Sequence, residues 1–431
     1  MNALADRPDT TRDSQTSWAR TPICERLRVV RELRHLIAEN ADALAAAAAA
    51  VSDRPRAEKL VSEVLPLADA CRWLEKNAAR ILAPRVCGKR GRPFWMQGFS
   101  FEVQRQPFGV VLVIGPGNYP LFLPAVHTLH ALVAGNSVLL KPAPGTREVA
   151  LAFARLAIDA GLDPALLTIL PESVEAARDA IADGVDKVIF TGSSENGRDV
   201  LAQLAETNTP SVMELSGEDA VIVLADADLD LVLRALRFGT RLNDGETCIA
   251  PRRLIVVGNV PEGLRKLAGG VSHRNPSTRD ICPGGTAEIP IHTVRDEAEA
   301  IALINAADFA LGASIFSSDI DRARALAAQI KTGFVLINDL IVPTADPRMP
   351  FGGVKASGFG TTRGDEGLLE MTFPHVVAIR RGRSHQHFDE SGANDAHLFA
   401  AYIRAAHGRH RFTAIRALLR ALIDKTKSRK P

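Results

Sequence analysis

The stretch VVLVIGPGNYPLFLPAVHTLHALVAGNSVLLKP, residues 110–142, decides the fold. Its first five residues are apolar without alternation, the pattern of a strand covered on both faces. Pro116, Gly117 and Asn118 make a turn, residues 120–134 suit a helix, and SVLLKP (137–142) reads as a second strand. The rhythm then repeats: a helix over 150–160, a strand in LLTIL (166–170), a helix over 174–182 and a strand in DKVIFTG (186–192). Strands alternating with helices predict an α/β fold with a parallel, doubly wound, Rossmann-like sheet. Lys141 falls at a strand end, where such sheets receive ligands.

Upstream, apolar residues at helical spacing predict one helix over 22–52 and a second over 57–81, kinked at Pro66. The glycines, aromatics and alternation of GKRGRPFWMQGFSFEVQRQPFG (88–109) predict a β-hairpin. Downstream, SVMELSG (211–217), AVIVL (220–224), a helix over 229–242 and RRLIVV (252–257) form a second βα region. Residues 261–290 are rich in Gly and Pro and weakly patterned. A helix over 296–305, strands at 313–317 and 333–338, the glycine-rich PFGGVKASGFG (350–360) and a last strand in FPHVVAI (373–379) follow. The expected organisation is N-terminal helices at 1–91, a hairpin at 92–107, a cofactor domain at 108–215, a shortened catalytic domain at 216–350, a glycine-rich loop and strand at 351–380, and a basic tail at 381–431.

Composition excludes several classes. With 431 residues, 46% of them hydrophobic, and a net charge of +2, the chain has ample material for a core and no general electrostatic affinity for nucleic acid. Its five cysteines, Cys24, Cys71, Cys87, Cys248 and Cys282, are odd in number, irregularly spaced and free of any CxxC. That argues against a disulfide framework and a metal site, and for a reducing compartment. The N-terminus is polar and acidic, unlike a secretory signal. Residues 43–51, the most apolar run, are too short for a transmembrane segment. A cytoplasmic protein is expected. The tail 381–431 carries eleven Lys/Arg against four Asp/Glu, and RFTAIRALLRALIDKTK (411–427) sets arginines between apolar residues at helical spacing. That suits a solvated basic face or a contact with a partner or an anionic surface.

The chemistry centres on NDGETCIAPRRLIVV (243–257). A free cysteine is commonly a small buried side chain. Here Gly245 permits a tight turn, Asn243 offers an amide and Pro251 bars helix continuation, so Cys248 belongs on a loop, where nucleophiles are placed. Locally, the structural and nucleophilic readings both stand. Glu214 interrupts an apolar strand; it is either salt-bridged or, with its pKa raised by desolvation, a general base. Asn118 is either a turn asparagine or an oxyanion donor. Gly192 and Gly197 lie between a strand and a helix, a spacing able to bring backbone N–H groups to a pyrophosphate.

Taken together, GPGNYP, GNSVLLKPAP, FTGS, MELSG, the GETC stretch and PFGGVKASGFG resemble, in order, the motifs of the aldehyde dehydrogenase superfamily, from about residue 24 to 379 with one large gap. The 34 residues between Glu214 and Cys248 fit that pattern. The resemblance implies NAD(P)-dependent oxidation of a small-molecule aldehyde to an acid. Cys248 would form a thiohemiacetal and then a thioester, Asn118 and the Cys248 N–H would hold the oxyanion, and Glu214 would activate water. Lys141 would contact the adenosine ribose, Ser193 the pyrophosphate and Phe351 the nicotinamide end; Ile114, Gly115, Pro116, Pro142, Gly192, Gly197 and Leu215 complete the implied cofactor set. It also implies a small β oligomerisation element and a homodimer or higher homo-oligomer.

Two departures shape the expectations. Pro144 stands where the family often has a ribose-binding glutamate, with Arg147 nearby, which favours NADP as readily as NAD. After Val257 the family's long βα stretch is cut short, and Glu288-Ile289-Pro290 is at best a remnant of its nicotinamide-ribose motif. Misplacing a reactant by about 1 Å can cost roughly 100-fold in rate. The shortening should widen access to Cys248 and uncover part of the second sheet. It also keeps open a non-catalytic binding or assembly protein; a CoA-acylating dehydrogenase is a further alternative, against which Glu214 argues.

Overall fold

The computed structural model describes residues 7–52, 54–268, 289–381, 386–388, 390, 392 and 395–428. Glu288 and Cys282 lie outside the described residues. The chain forms two units, one of Met1–Val86 with Glu102–Val377 and one of Cys87–Phe101 with Ala378–Pro431.

In the larger unit, the first sheet takes β1 (Val110–Ile114), β2 (Ser137–Lys141), β3 (Leu167–Ile169), β4 (Lys187–Thr191) and β5 (Ser211–Glu214), all parallel. Its order runs from β5 through β4, β1 and β2 to β3, so β1 has a neighbour on either side and the winding reverses there. The uninterrupted apolar run of β1 follows from this. Val111 and Val113 join a core made with the N-terminal helices and α1 (Phe122–Ala134), while Val110, Leu112 and Ile114 join a core on the opposite face. The second sheet takes β6 (Ala220–Val223), β7 (Arg253–Val257), β8 (Ile291–Val294), β9 (Gly312–Phe316) and β10 (Phe334–Ile337), again parallel, in the order β8-β7-β6-β9-β10. β11 (Gly358–Phe359), from the glycine-rich loop, pairs antiparallel with β5 and places Gly358 opposite Glu214. Gly358 has φ +102°, and a Cβ there would lie 1.9 Å from the Met213 carbonyl oxygen, so only glycine fits.

The structure alters or refines four expectations. The helix over 22–52 is two helices, Ile23–Glu39 and Ala41–Ala49. Asn40 separates them: its side-chain amide donates to the Leu36 carbonyl at 2.8 Å, competing with the helical ladder. The second N-terminal helix widens to an i→i+5 turn at Leu60–Val64, just before Pro66, whose ring nitrogen has no hydrogen to give. No hairpin forms within 92–107. Phe94–Met96 is a single tight turn, and Phe99–Pro107 is one long strand in a sheet ordered Arg85–Cys87, Phe99–Pro107, Thr372–Arg380. The second sheet is not uncovered either. Leu254 and Val256 are buried with Val232, Leu236 and Leu264 on one face, and Ile255 with Ala300, Ile304 and Ala323 on the other. Helix α2 (Leu229–Arg241) and the short helix Glu262–Ala268 supply the first cover.

The smaller unit contains α3 (Asp395–His407) and α4 (Arg411–Ser428), packed on each other through a three-residue link.

One buried ion pair anchors the start of α1. Lys59 and Glu63, 1% and 0% exposed in their side chains, meet at 2.8 Å. The second Glu63 oxygen accepts from the backbone N–H groups of Leu121 and Phe122 at 2.7 and 3.2 Å, satisfying donors that a helix N-terminus leaves open. Removing Glu63 strands a buried ammonium and two N–H groups. Glu63→Ala should therefore lower the unfolding free energy by about 3–5 kcal/mol in urea titration; a loss below about 1 kcal/mol would show the pair to be dispensable.

Candidate active site

A cleft of about 910 Å³ opens at the carboxyl ends of the first sheet, where its winding reverses. It is lined by Ile114, Gly115, Pro116, Asn118, Lys141, Gly192, Ser193, Glu214, Leu215, Cys248 and Phe351, so most of the predicted residues meet in one cavity. Pro142 and Gly197 are not on its surface. Gly197 lies within the helix Ser194–Thr207, where a Cβ would come within 2.5 Å of Leu215 Cδ2; its part is to let the helix sit close to the lining.

Cys248 is carried by a backbone held in an uncommon shape. Asn243, Asp244 and Gly245 have φ of 57°, 50° and 71°, three left-handed residues in succession, which asparagine, aspartate and glycine tolerate best. Neighbours fix the loop. Asn243 N–H donates to Glu58 at 3.1 Å, Arg54 bridges Asp244 and Glu246 at 3.3 and 3.1 Å, and Arg252 donates to the Gly245 carbonyl at 2.7 Å. The loop is also laced to the turn after β1. Asn243 Nδ2 donates to the Asn118 carbonyl at 3.1 Å, Asn118 Nδ2 donates to the Glu246 carbonyl at 2.8 Å, and the Tyr119 and Thr247 hydroxyls lie 2.8 Å apart. An amide has two N–H donors; Asn118 uses one on the loop, which leaves the second for a ligand.

The electrostatics differ from the sequence expectation at Glu214. Burial pushes its pKa up. Interaction with His127, whose Nε2 lies 3.4 Å away, together with the Thr362 hydroxyl and the Arg363 guanidinium, outweighs burial and holds the carboxyl down at about 2. Thr191 Oγ1 donates at 2.9 Å to Oε2, the oxygen that His127 faces, while Thr362 donates to Oε1. The raised pKa argued from burial is thus reversed by partners that sequence did not place. Cys248 is pushed up to about 12 by burial and by the charges of Glu214 and Asp219, with Arg363 opposing, so the resting sulfur is a thiol.

Three neighbours went unread in the sequence. Asp219, directly ahead of β6, is buried, accepts from Gly312 N–H at 3.1 Å, and is raised by burial to about 7. A lone carboxylate at the start of an apolar strand was its available signal. Arg363 is 4% exposed, lies 4.3 Å from the Phe351 ring centre and donates to the Thr344 carbonyl. Arg178, on the helix Val174–Ala182, lines the cleft at the Lys141 end, whereas Arg147 does not; Arg147 N–H is taken by Glu172 at 2.6 Å. Neither arginine had a local pattern to mark it.

The cavity suits a dinucleotide. Ser193 caps the fourteen-residue helix Ser194–Thr207, whose open N–H groups favour a phosphate. A Cβ on Gly192 would fall 2.6 Å from the Phe190 ring, so the backbone there stays bare. Among the described residues there is no group of His, Cys, Asp and Glu able to hold a metal ion.

This fold and cleft define a dinucleotide-dependent α/β enzyme with a cysteine at the cofactor end of its sheet. The chain belongs to the aldehyde dehydrogenase family, whose model matches residues 7–272 and 289–377. It is 32% identical to the 4,4'-diapolycopene aldehyde oxidase of a Methylomonas species over 85% of this chain and 79% of that one. It is 30% identical to the succinate-semialdehyde dehydrogenase [NADP(+)] of Deinococcus radiodurans over 87% and 89%. Among solved structures, an aldehyde dehydrogenase from Brucella melitensis biovar abortus superposes with a TM-score of 0.77 at 26% identity, covering 87% of this chain and 89% of that one. The protein is an NAD(P)-dependent, aldehyde-oxidising enzyme. The unmatched stretch between 272 and 289 falls where the sequence is shortened.

Because the Glu214 charge raises the Cys248 pKa and Arg363 lowers it, two variants should move thiol reactivity oppositely. At fixed pH and without cofactor, Glu214→Gln should speed iodoacetamide labelling of the Cys248 peptide, read by mass spectrometry, and Arg363→Met should slow it. In the wild type the rate should climb about tenfold per pH unit from 7 to 10, as for a thiol titrating well above that range. A plateau near pH 8 would contradict this.

Proposed function

We propose that Cys248 is the nucleophile, Asn118 the oxyanion donor and Glu214 the acceptor that places the hydrolytic water in oxidation of an aldehyde to a carboxylic acid. The observation that carries this reading is that one cleft holds all three beside a capped helix N-terminus. The Cys248 thiol would release its proton through a water held by the Glu214 carboxylate as its sulfur adds to the carbonyl carbon. The oxyanion formed as the C=O π pair moves to oxygen would meet the free N–H of the Asn118 amide and the Cys248 backbone N–H. When bound, NAD(P)⁺ supplies the hydride acceptor for the step from thiohemiacetal to thioester. Glu214, ionised throughout the physiological range, would accept a hydrogen bond from water and aim it at the thioester. Lys141, Ser193 and the helix behind it would hold the ribose and pyrophosphate. Ile114, Gly115, Pro116, Pro142, Gly192, Gly197 and Leu215 would shape the cofactor path, and Phe351 its nicotinamide end. Cys248→Ala should abolish aldehyde-dependent NAD(P)H formation while cofactor binding, followed by fluorescence titration, persists. Turnover in that variant would reject Cys248 as the nucleophile.

The reading extends to NADP⁺. Pro144 brings no carboxylate against a 2′-phosphate, Lys141 and Arg178 bring two cations to that end of the cleft, and the Deinococcus relative is named for NADP⁺. Removing one charge-assisted contact of about 1.5–3 kcal/mol costs roughly tenfold or more in affinity. Arg178→Ala should therefore raise KM for NADP⁺ by roughly tenfold and leave KM for NAD⁺ within about twofold; equal effects on both would remove Arg178 from the phosphate site.

The same reading includes a reducing, cytoplasmic setting and a homo-oligomer. Cys24, Cys71 and Cys248 form no disulfide, and no helix among the described residues is long and apolar enough to cross a membrane. Phe373, Val376 and Val377 stand exposed on the strand Thr372–Arg380, which suits pairing with a second copy.

A further inference from the structure

The helical pair α3–α4 lies beyond residue 377, outside the residues matched to the family, so the aldehyde-oxidising machinery does not account for it. Its inward positions are small: Ala401 is 2% exposed and Ala421 4%. Its outward positions are large and apolar. Phe399 and Ile403, one turn apart on α3, are 53% and 58% exposed; Phe412, Ile415 and Leu419 on α4 are 89%, 45% and 55% exposed. At about 100° per residue, Phe412, Ile415 and Leu419 form one stripe roughly opposite Ala421. Arg416 and Arg420 border that stripe on one side and Arg411 on the other, all exposed. Between residues 396 and 423 there are five arginines and no carboxylate.

We propose that α3 and α4 form a docking surface for an anionic lipid bilayer, lying in the plane of the interface. Two adjacent helices each turn an apolar stripe away from their shared face, with arginines at the border whose stems can follow the apolar surface while their heads reach phosphates. Charge complementarity selects the occupant, because a run with five arginines and no acid suits anionic headgroups. Nucleic acid would use the arginines but has no need of exposed Phe412, Ile415 and Leu419. Spanning is excluded by length and charge: no helix among the described residues qualifies. The surface would hold the enzyme where apolar aldehydes partition.

The experiment is co-sedimentation of the full chain with phosphatidylcholine vesicles, with and without phosphatidylglycerol. Binding should require the anionic lipid and weaken as salt is raised. Arg416→Gln with Arg420→Gln should lower the partition coefficient roughly 30-fold, at about fivefold for each arginine lost near the surface. Phe412→Ser with Ile415→Ser should also release the protein, while both double variants keep wild-type circular dichroism and cofactor affinity. The proposal is overturned if wild type ignores anionic vesicles, if neither pair of changes alters binding, if the Phe412/Ile415 variant instead dissociates an oligomer in size-exclusion chromatography, or if duplex DNA competes the protein off the vesicles with the apolar changes having no effect.

Discussion

A reciprocal exchange of amide hydrogen bonds holds the site together. Asn118 gives one N–H to the Glu246 carbonyl, and its own carbonyl receives one from Asn243. The turn after β1 and the loop carrying Cys248 are thereby fixed to each other, although 125 residues separate Asn118 from Asn243. The loop could not hold this shape alone. Three consecutive left-handed residues are a costly conformation that survives only where its surroundings over-determine it. Arg54, Glu58 and Arg252 provide that constraint, and the first two belong to the N-terminal region, which also supplies the Lys59–Glu63 pair beneath the start of α1. The N-terminal helices therefore position chemistry as well as cover a sheet.

Around this frame the charges are set against one another. Burial, with Glu214 and Asp219 adding to it, keeps the Cys248 thiol protonated, while Arg363 opposes them from its place over the Phe351 ring. Against the cost of burial, Glu214 is held ionised by the partners that α1 and the segment after the glycine-rich loop bring to it: His127, Thr362 and Arg363. On the proposed reading, the resting enzyme protects its nucleophile from adventitious reaction and keeps its water-placing carboxylate charged. The shortened stretch after Val257 does not disturb this, because β8 pairs directly along β7 and the apolar faces of β7 stay buried.

The sequence carried much of this. The apolar run of β1 foretold a strand covered on both faces, and the order of motifs around Asn118, Lys141, Ser193, Glu214 and Cys248 anticipated their meeting in one cleft. Periodicity located β1 to β7, β9 and β10 because each is a continuous or alternating apolar run. It missed β8, whose IHTV has exposed polar residues at its centre. What escaped was set by tertiary context. The break at Asn40 depends on a side-chain hydrogen bond, the stretch around 92–107 takes its strand partners from outside itself, and the low pKa of Glu214 depends on His127, Thr362 and Arg363, all distant in the chain. Arg363 follows the glycine-rich loop without any motif of its own, and only its burial beside Phe351 gives it weight.

The central claim is that Cys248 becomes acylated and that Glu214 places the water that frees it. Intact-protein mass spectrometry of Glu214→Gln, mixed with an aldehyde and a stoichiometric amount of NADP⁺, tests this directly. The account predicts one equivalent of NADPH and a mass increase equal to the acyl group, mapped to the Cys248 peptide and discharged by hydroxylamine. NADPH formed at the wild-type steady rate with an unmodified Cys248, or an acyl group on any other residue, would contradict it.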